Sequence, residues 1–156
     1  MRGSSKGGYT LIEILVVVTI VGILATISLP DFIRWLHAYR LQAAAVKLVN
    51  DLQATKLLAM LKGKKHQMQL RPTEQGNYYQ IVEDPGGIDR IVSSIGRVIL
   101  DKEFGGVIIK ETRLDGTFTF SPKGTSTNGK ILLENAVHQQ IRIWINNTGR
   151  VRVEAL

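Results

Sequence analysis

Cysteine is absent from the 156 residues of the chain. Its absence excludes a disulfide framework, and it also excludes thiol chemistry and thiolate metal ligands. Internal repeats and low-complexity tracts are absent as well. The length therefore suits one domain with a single modest core.

Histidine occurs only three times, at His37, His66 and His138. The three positions are predicted to lie on a helix, a strand and a loop, with no HExxH motif and no carboxylate partner at ligand spacing. Each histidine is therefore predicted to be a surface residue. We expect no enzymatic activity, no bound metal and no cofactor.

Charge is missing from the segment that follows Glu13, where an apolar run continues to Leu29. At about 1.5 Å per residue, the run Tyr9 to Leu29 crosses most of a roughly 30 Å hydrocarbon layer. An ionised side chain at that depth costs about 2.5 kcal/mol or more unless a partner neutralises it. Glu13 therefore requires a cation, and cleavage between Gly8 and Tyr9 would supply one as a new α-amino group.

The eight residues before Tyr9 are basic and rich in small side chains. An ordinary secretory signal is cleaved after its apolar stretch at a small-x-small site, whereas here the pair Gly7-Gly8 precedes that stretch. The alternative is an uncleaved anchor whose short end Arg2 and Lys6 hold in the cytoplasm. That alternative leaves Glu13 without a role.

The segment Gly8-Tyr9-Thr10-Leu11-Ile12-Glu13 resembles the class III signal of type IV pilins and type II secretion pseudopilins. The resemblance implies that a prepilin peptidase cleaves after Gly8 and methylates the amino group of Tyr9, which stands where the family usually has Phe. It implies that Glu13 neutralises the terminus of a neighbouring subunit during assembly. It also implies a single-pass inner-membrane protein with a periplasmic C-terminal domain, which contacts lipid first and other subunits of a pilus or pseudopilus later.

A helical pattern extends beyond the membrane run. Apolar and small side chains recur at steps of three and four residues, at Leu41, Ala45, Leu48, Leu52, Thr55 and Ala59. Another face carries polar and charged side chains, at Arg34, His37, Arg40, Lys47 and Asp51. One helix from about Tyr9 to Lys62 follows, and Gly63 marks its end.

Pro30 interrupts this pattern because it removes a backbone donor and crowds the preceding turn. A bend or local melting is predicted between Gly22 and Pro30. The alternative is a boundary between two separate helices.

After residue 65 the apolar period changes to two, which is typical of an antiparallel β domain. The predicted strands are His66 to Arg71, Tyr78 to Glu83, Arg97 to Leu100, Val107 to Lys110, Thr117 to Phe120, Ile131 to Glu134, Ile141 to Asn146 and Arg150 to Glu154. With the amphipathic half of the helix packed on one sheet, the fold class is α+β, and the resemblance makes it a pilin-like fold. The predicted organisation is a leader at 1–8, a transmembrane half at 9–29, an amphipathic half at 30–62 and a β domain at 63–156.

Only one register fits the last two strands. Pairing their apolar faces places Ile145 opposite Val151 and Ile143 opposite Val153, which leaves a three-residue loop that ends at Gly149. Glycine supplies the positive φ that such a loop needs at its end. The opposite face then pairs Asn146 with Arg150, Trp144 with Arg152, and Arg142 with Glu154.

Arg150 and Arg152 stand about 6.6 Å apart on one side of a strand, so together they can reach phosphates. Gly149-Arg150-Val151-Arg152 resembles a Gly-Arg-x-Arg motif of FimT-type minor pilins, which bind DNA during uptake. The resemblance implies backbone, sequence-independent contacts from this face, to which Trp144 and Arg142 also belong.

The alternative for these residues is the solvated face of an edge strand, with Arg152 stacked on Trp144. Together, the two ends of the chain predict a FimT-like minor pilin of a type IV pilus that binds DNA. The alternative function is a GspH-like minor pseudopilin that acts only as a structural subunit. The formal charge of +7 favours a polyanionic partner without specifying one.

Overall fold

The computed structural model describes residues 9–83, 90–91, 96–113 and 115–156. The predicted leader, which ends at Gly8, lies outside the described residues. The chain divides into two compact units, the first ending at Leu36 and the second running from His37 to Leu156.

One long helix, α1 (Leu11–Lys62), confirms the helix predicted from the sequence. It begins beside Thr10, whose Oγ1 accepts a hydrogen bond of 3.3 Å from the amide of Glu13 and so satisfies a free donor of the first turn. It ends at Gly63, where φ is +63°, a left-handed conformation that glycine adopts without steric cost.

Pro30 lies inside this helix. The helix axis bends by 42° between Leu11–Thr26 and Leu29–Lys62, within the interval where a bend is predicted. Within the described part of the chain, neither segment meets the length and hydropathy expected of a membrane span by itself, whereas the bent pair meets them together.

The described strands are β1 (His66–Arg71), β2 (Tyr78–Glu83), β3 (Arg90–Ile91), β4 (Arg97–Ile99), β5 (Ile108–Glu111), β6 (Thr117–Phe120), β7 (Gly129–Glu134), β8 (Gln140–Ile145) and β9 (Val151–Ala155). The predicted bounds of β1, β2 and β6 are confirmed, and those of β5, β7, β8 and β9 differ by one or two residues. A short helix, α2 (Leu100–Phe104), and a 3-10 turn at Thr73–Gln75 complete the described elements.

The strands form two antiparallel sheets, not one. The first has the order β3-β2-β1-β6 with β4 also paired to β2, and the second has the order β5-β7-β8-β9. The helix side chains predicted to face the core are all buried, and its apolar members form one cluster with residues of both sheets: Leu41, Ala45, Leu48, Leu52 and Ala59 with Met68, Tyr79, Phe118, Ile131 and Ile143. The prediction that the helix packs on a single sheet is therefore wrong, because β5 leaves the first sheet and pairs with β7 in a second one.

The predicted strand Arg97 to Leu100 is wrong at its end, because Leu100 begins α2. The apolar alternation that suggested a longer strand arises because Val98 and Leu100 are both buried. Asp101, in the first turn of α2, accepts a hydrogen bond of 3.1 Å at its Oδ1 from the amide of Gly106, just beyond the end of the helix. β3 was not predicted from the sequence, because a strand of two residues is too short to show alternation of apolar and polar side chains.

Asp51, which the sequence assigns to the polar face of α1, is buried in the structure. Its carboxylate is buried and accepts a hydrogen bond of 2.7 Å from the Tyr79 hydroxyl, while Lys47 Nζ donates to both carboxylate oxygens at 2.9 Å. Burial, together with the hydrogen bond to Asp51, raises the pKa of Tyr79 far above its ordinary value. The spacing of four residues between Lys47 and Asp51 is sufficient to predict their ion pair. The hydrogen bond to Tyr79 could not be predicted, because Tyr79 lies 28 residues away in the sequence.

Candidate functional site

The start of α1 presents a carboxylate among exposed apolar side chains. Tyr9, Leu11 and Ile12 are 80%, 82% and 71% exposed, and Glu13 lies in the first helical turn among them. Within the described part of the chain, Glu13 forms no ion pair, and its recorded hydrogen bonds run from its amide to Thr10. Among the described residues, the Glu13 side chain therefore has no cationic partner.

Exposed apolar side chains continue along α1 within the described residues of the first unit. Its exposed large side chains are Ile14, Leu15, Val16, Val17, Val18, Ile20, Val21, Ile23, Leu24, Leu29, Phe32, Ile33 and Trp35. An exposed apolar surface of this extent is typical of a site that contacts a membrane or another protein.

The C-terminal hairpin has the predicted register. Ile145 pairs with Val151, Ile143 with Val153, and Trp144 with Arg152. Arg142 pairs with Glu154, and the amide of Asn146 donates to the carbonyl oxygen of Arg150 at 3.1 Å. The polar and apolar faces of β8 and β9 are thus the ones read from the sequence.

Asn146 forms the turn of this hairpin, a role that sequence reading missed. Its Oδ1 accepts hydrogen bonds from the amides of Thr148 and Arg150 at 3.1 and 2.9 Å, and from the Thr148 hydroxyl at 2.7 Å. Asparagine commonly accepts such bonds from the backbone two residues ahead, so its position at the start of the loop could have indicated the turn. Gly149 follows with a φ of +69°, as the loop length predicts.

The hairpin tip is also held from outside. Lys56 Nζ donates to the carbonyl oxygens of Thr148 and Gly149 at 2.9 and 3.5 Å, and the Ser126 hydroxyl donates to the carbonyl oxygen of Asn146 at 2.8 Å. A Cβ added at Gly149 would lie 2.9 Å from the carbonyl oxygen of Gly124. These contacts hold the loop in one position and thereby fix where β9 begins.

Arg152 is an exposed residue of the edge strand β9, and Arg150, also exposed, directly precedes that strand. Among the described residues, neither guanidinium forms an ion pair or a side-chain hydrogen bond. They border a depression of about 470 Å³ that Trp144, Ile145 and Asn146 also line. The arginines are therefore charged, accessible and unneutralised.

Arg142 is engaged differently from the other two arginines. Its Cζ lies 5.7 Å from the centroid of the Trp144 ring, and its Nη1 is 3.4 Å from Glu154 Oε2. Trp144 Nε1 donates to the same oxygen at 3.4 Å. The cation–π contact recorded for Trp144 is thus with Arg142, and the suggested stacking of Arg152 on Trp144 is wrong because Arg142, two residues away on the same strand, occupies that position.

A second basic cluster follows the end of α1 at Lys62, Lys64 and Lys65. Glu83 pairs with Lys62 Nζ at 3.1 Å and with Lys64 Nζ at 3.2 Å. The hydrogen bonds from Lys62 and Lys64 hold the pKa of Glu83 below its ordinary value. Two of the three lysines are therefore already partly neutralised.

The histidines lie on α1, β1 and a loop, as predicted, but their exposures differ. His66 is fully buried, with its Nδ1 3.2 Å from the carbonyl oxygen of Lys64, so the prediction that it is a surface residue is wrong. Its position at an inward-facing point of β1 explains the burial. His138 is exposed and its Nδ1 lies 3.0 Å from Glu134. Within residues 9–83, 90–91, 96–113 and 115–156, no three His, Asp or Glu side chains gather as metal ligands would.

Comparison with known proteins bears on the N-terminal segment and on the fold. Residues 3–29 match the family model of the prokaryotic N-terminal methylation motif. The minor pseudopilin EpsH of the type 2 secretion system of Vibrio cholerae superimposes with a TM-score of 0.60 at 13% identity, over 74% of this chain and 97% of that one. The type IV minor pilin FimU of Pseudomonas aeruginosa superimposes with a TM-score of 0.57 at 20% identity, over 78% and 96%. Among curated protein sequences, no match is found.

At these identities the structural likeness establishes the fold, which is pilin-like and of the α+β class. The chain therefore combines the N-terminal methylation motif of prepilin-like proteins with the fold of minor pilins and pseudopilins. The predicted resemblance is confirmed for the motif and for the architecture that follows it.

Proposed function

We propose that the chain is a subunit of a type IV pilus or of a type II secretion pseudopilus, with a structural role and no enzymatic one. The observation that carries the proposal is the methylation motif at residues 3–29, placed directly ahead of a pilin-like domain. The leader 1–8 is removed by a prepilin peptidase, and Tyr9 becomes the methylated first residue. The segment 9–29 then anchors the subunit in the inner membrane, while 30–62 and the β domain 63–156 face the periplasm.

Glu13 is the assembly residue in this proposal. Its carboxylate lies in the first turn of α1 with no cation among the described residues beside it. A carboxylate in hydrocarbon is costly alone and is stabilised by a cation at hydrogen-bonding distance. The amino terminus of a neighbouring subunit is a cation at the matching depth, so packing the apolar segments together neutralises both charges.

Processing is tested by intact-mass analysis of the protein from native membranes. The mature chain is expected to lack residues 1–8 and to carry one additional methyl group on Tyr9. A Gly8→Ala variant provides the comparison, because a larger side chain at the cleavage position is expected to slow processing. A chain that retains its eight leader residues in native membranes would contradict the filament proposal.

DNA binding by the C-terminal hairpin is a second proposed function. It rests on Arg150 and Arg152, two accessible side chains two residues apart at the start of the edge strand β9, both without ion pairs among the described residues. Guanidinium groups bind phosphate oxygens in bidentate geometry, and two of them on one strand can follow a nucleic-acid backbone. Gly149 makes the turn that projects them, and Trp144 and Arg142 flank them. The competing possibility is a structural subunit that touches only other subunits and exported proteins.

The second proposal predicts sequence-independent binding whose strength depends on salt. The full-length protein in detergent is titrated against labelled duplexes of unrelated sequence, and all are expected to bind with the same affinity. Two phosphate contacts predict a slope of about −1.8 in log K against log salt. No binding at low salt would favour the purely structural subunit, whereas strong preference for one sequence would contradict recognition through the DNA backbone alone.

A further inference from the structure

Arg142, Trp144 and Glu154 form a small closed cluster beside the two free arginines. Glu154 Oε2 accepts hydrogen bonds from both Arg142 Nη1 and Trp144 Nε1 at 3.4 Å, and the guanidinium lies 5.7 Å from the indole centroid. The β8–β9 register places Glu154 directly across from Arg142, and Trp144 directly across from Arg152. The same polar face thus carries three arginines and one carboxylate.

We propose that Glu154 is a positioning residue that keeps Arg142 from nucleic acid and so limits the phosphate contacts of the hairpin to two. The proposal rests on the DNA-binding function proposed above. A phosphate that approached Arg142 would have to displace the carboxylate already paired with it, and the carboxylate would also repel the phosphate. Arg150 and Arg152 face no such competition among the described residues.

The carboxylate of Glu154 can be removed without unfolding the hairpin, because its exposed pair with Arg142 contributes little to stability. The two side chains are 30% and 56% exposed, and their separation of 3.4 Å is long for a charge-assisted hydrogen bond. Removing the carboxylate therefore costs the fold little, and it leaves Arg142, which is partly exposed, without an ion-pair partner among the described residues. The consequence is a gain of binding, which loss of a purely structural contact would not produce.

The test is Glu154→Gln in the full-length protein, with duplex binding measured between 50 and 200 mM salt. Release of Arg142 adds one phosphate contact, so the slope of log K against log salt should steepen by about 0.9. Across that fourfold range of salt, the variant should lose about threefold more affinity than the unmodified protein, from a tighter starting value. Arg142→Gln in the unmodified protein should leave the slope unchanged, and the double variant should return it to the original value.

The matched control is Glu111→Gln. Glu111 lies on β5, at the opposite edge of the same sheet, and forms an ion pair of 2.8 Å with Lys130. Replacing Glu111 by Gln changes the net charge by the same amount as Glu154→Gln. If both Gln variants steepen the slope equally, the effect is one of general charge and the role of Glu154 is refuted.

Two other results distinguish failure of the proposed role of Glu154 from failure of DNA binding by the hairpin. If the unmodified protein binds DNA and Arg150/Arg152→Gln weakens it, but Glu154→Gln leaves the slope unchanged, only the role of Glu154 is overturned. If the unmodified protein binds no DNA at low salt, the DNA-binding function fails and the role of Glu154 fails with it.

Discussion

Replacement of Glu13 by Ala is expected to leave cleavage and membrane insertion intact and to prevent most of the protein from entering filaments. Insertion should be unimpaired because the variant has one charge fewer to place in hydrocarbon. Assembly should suffer because the amino terminus of the adjacent subunit then enters the packed helices without a counter-charge. An unpaired charge at this depth costs about 2.5 kcal/mol or more, which is nearly a hundredfold in an association constant.

The measurement compares the filament fraction sheared from cells with the membrane fraction, by immunoblotting of both. Glu13→Asp keeps the charge on a shorter side chain and should assemble better than the Ala variant. Glu74→Ala, which removes an exposed carboxylate from the 3-10 turn of the C-terminal unit, should assemble normally. Thermal unfolding of the C-terminal unit should be the same in all three. Normal filament incorporation of Glu13→Ala would show that charge pairing does not drive assembly.

Features that depend on near neighbours in sequence could be predicted. The end of α1 at Gly63 and the bend before Pro30 each follow from one residue with restricted or unusual backbone geometry. The hairpin register follows from the period of two, because a slip by one residue would turn Ile143 and Ile145 to the solvent side. These are local rules, and in each case the structure agrees with them.

Features that depend on distant residues could not be predicted. Lys56 reaches the carbonyl oxygen of Thr148 across 92 positions, and Asp51 meets Tyr79 across 28. Lys56 and Asp51 both lie on α1, whose apolar face was predicted correctly. The helical period does not indicate which strand or loop lies next to the polar side chains of the helix. The division of the strands into two sheets has the same cause, since each strand pattern specifies a buried face and not a partner.

The charged face of the hairpin could be predicted only in part. Its register brings Arg142 opposite Glu154 and Trp144 opposite Arg152, and the sequence is sufficient for that. Side-chain geometry then decides which groups associate, and Trp144 is recorded beside Arg142 and not beside Arg152. Strand pairing therefore identified the members of the site, whereas the distinction between engaged and free arginines required coordinates.

Replacement of both Arg150 and Arg152 by Gln is expected to remove most of the salt-dependent DNA binding. Gln keeps a long polar side chain at each position while deleting two charges, and neither guanidinium has an ion pair to lose among the described residues. If both contact phosphates, the slope of log K against log salt should flatten by about 1.8 units on duplex DNA. Between 50 and 200 mM salt, this removes about a tenfold change in affinity, alike for every DNA sequence.

Trp144→Ala separates backbone contacts from base stacking. Stacking of an unpaired base on an aromatic ring is worth about 1 to 3 kcal/mol, so loss of binding on single strands alone would indicate that the indole stacks. Equal loss on single strands and duplexes would instead indicate that Trp144 supports the neighbouring arginines.

The control for the arginine pair is the triple Gln variant of Lys62, Lys64 and Lys65, the other basic cluster of the chain. Glu83 already pairs with Lys62 and Lys64, so this variant removes three formal charges but disturbs groups that are partly neutralised. It should reduce affinity less than the double arginine variant, although it removes more charge. If the lysine variant loses binding while the arginine variant keeps both its affinity and its salt slope, the hairpin is not the DNA site. The chain would then be better described as a structural subunit whose C-terminal arginines lie on a solvated edge strand.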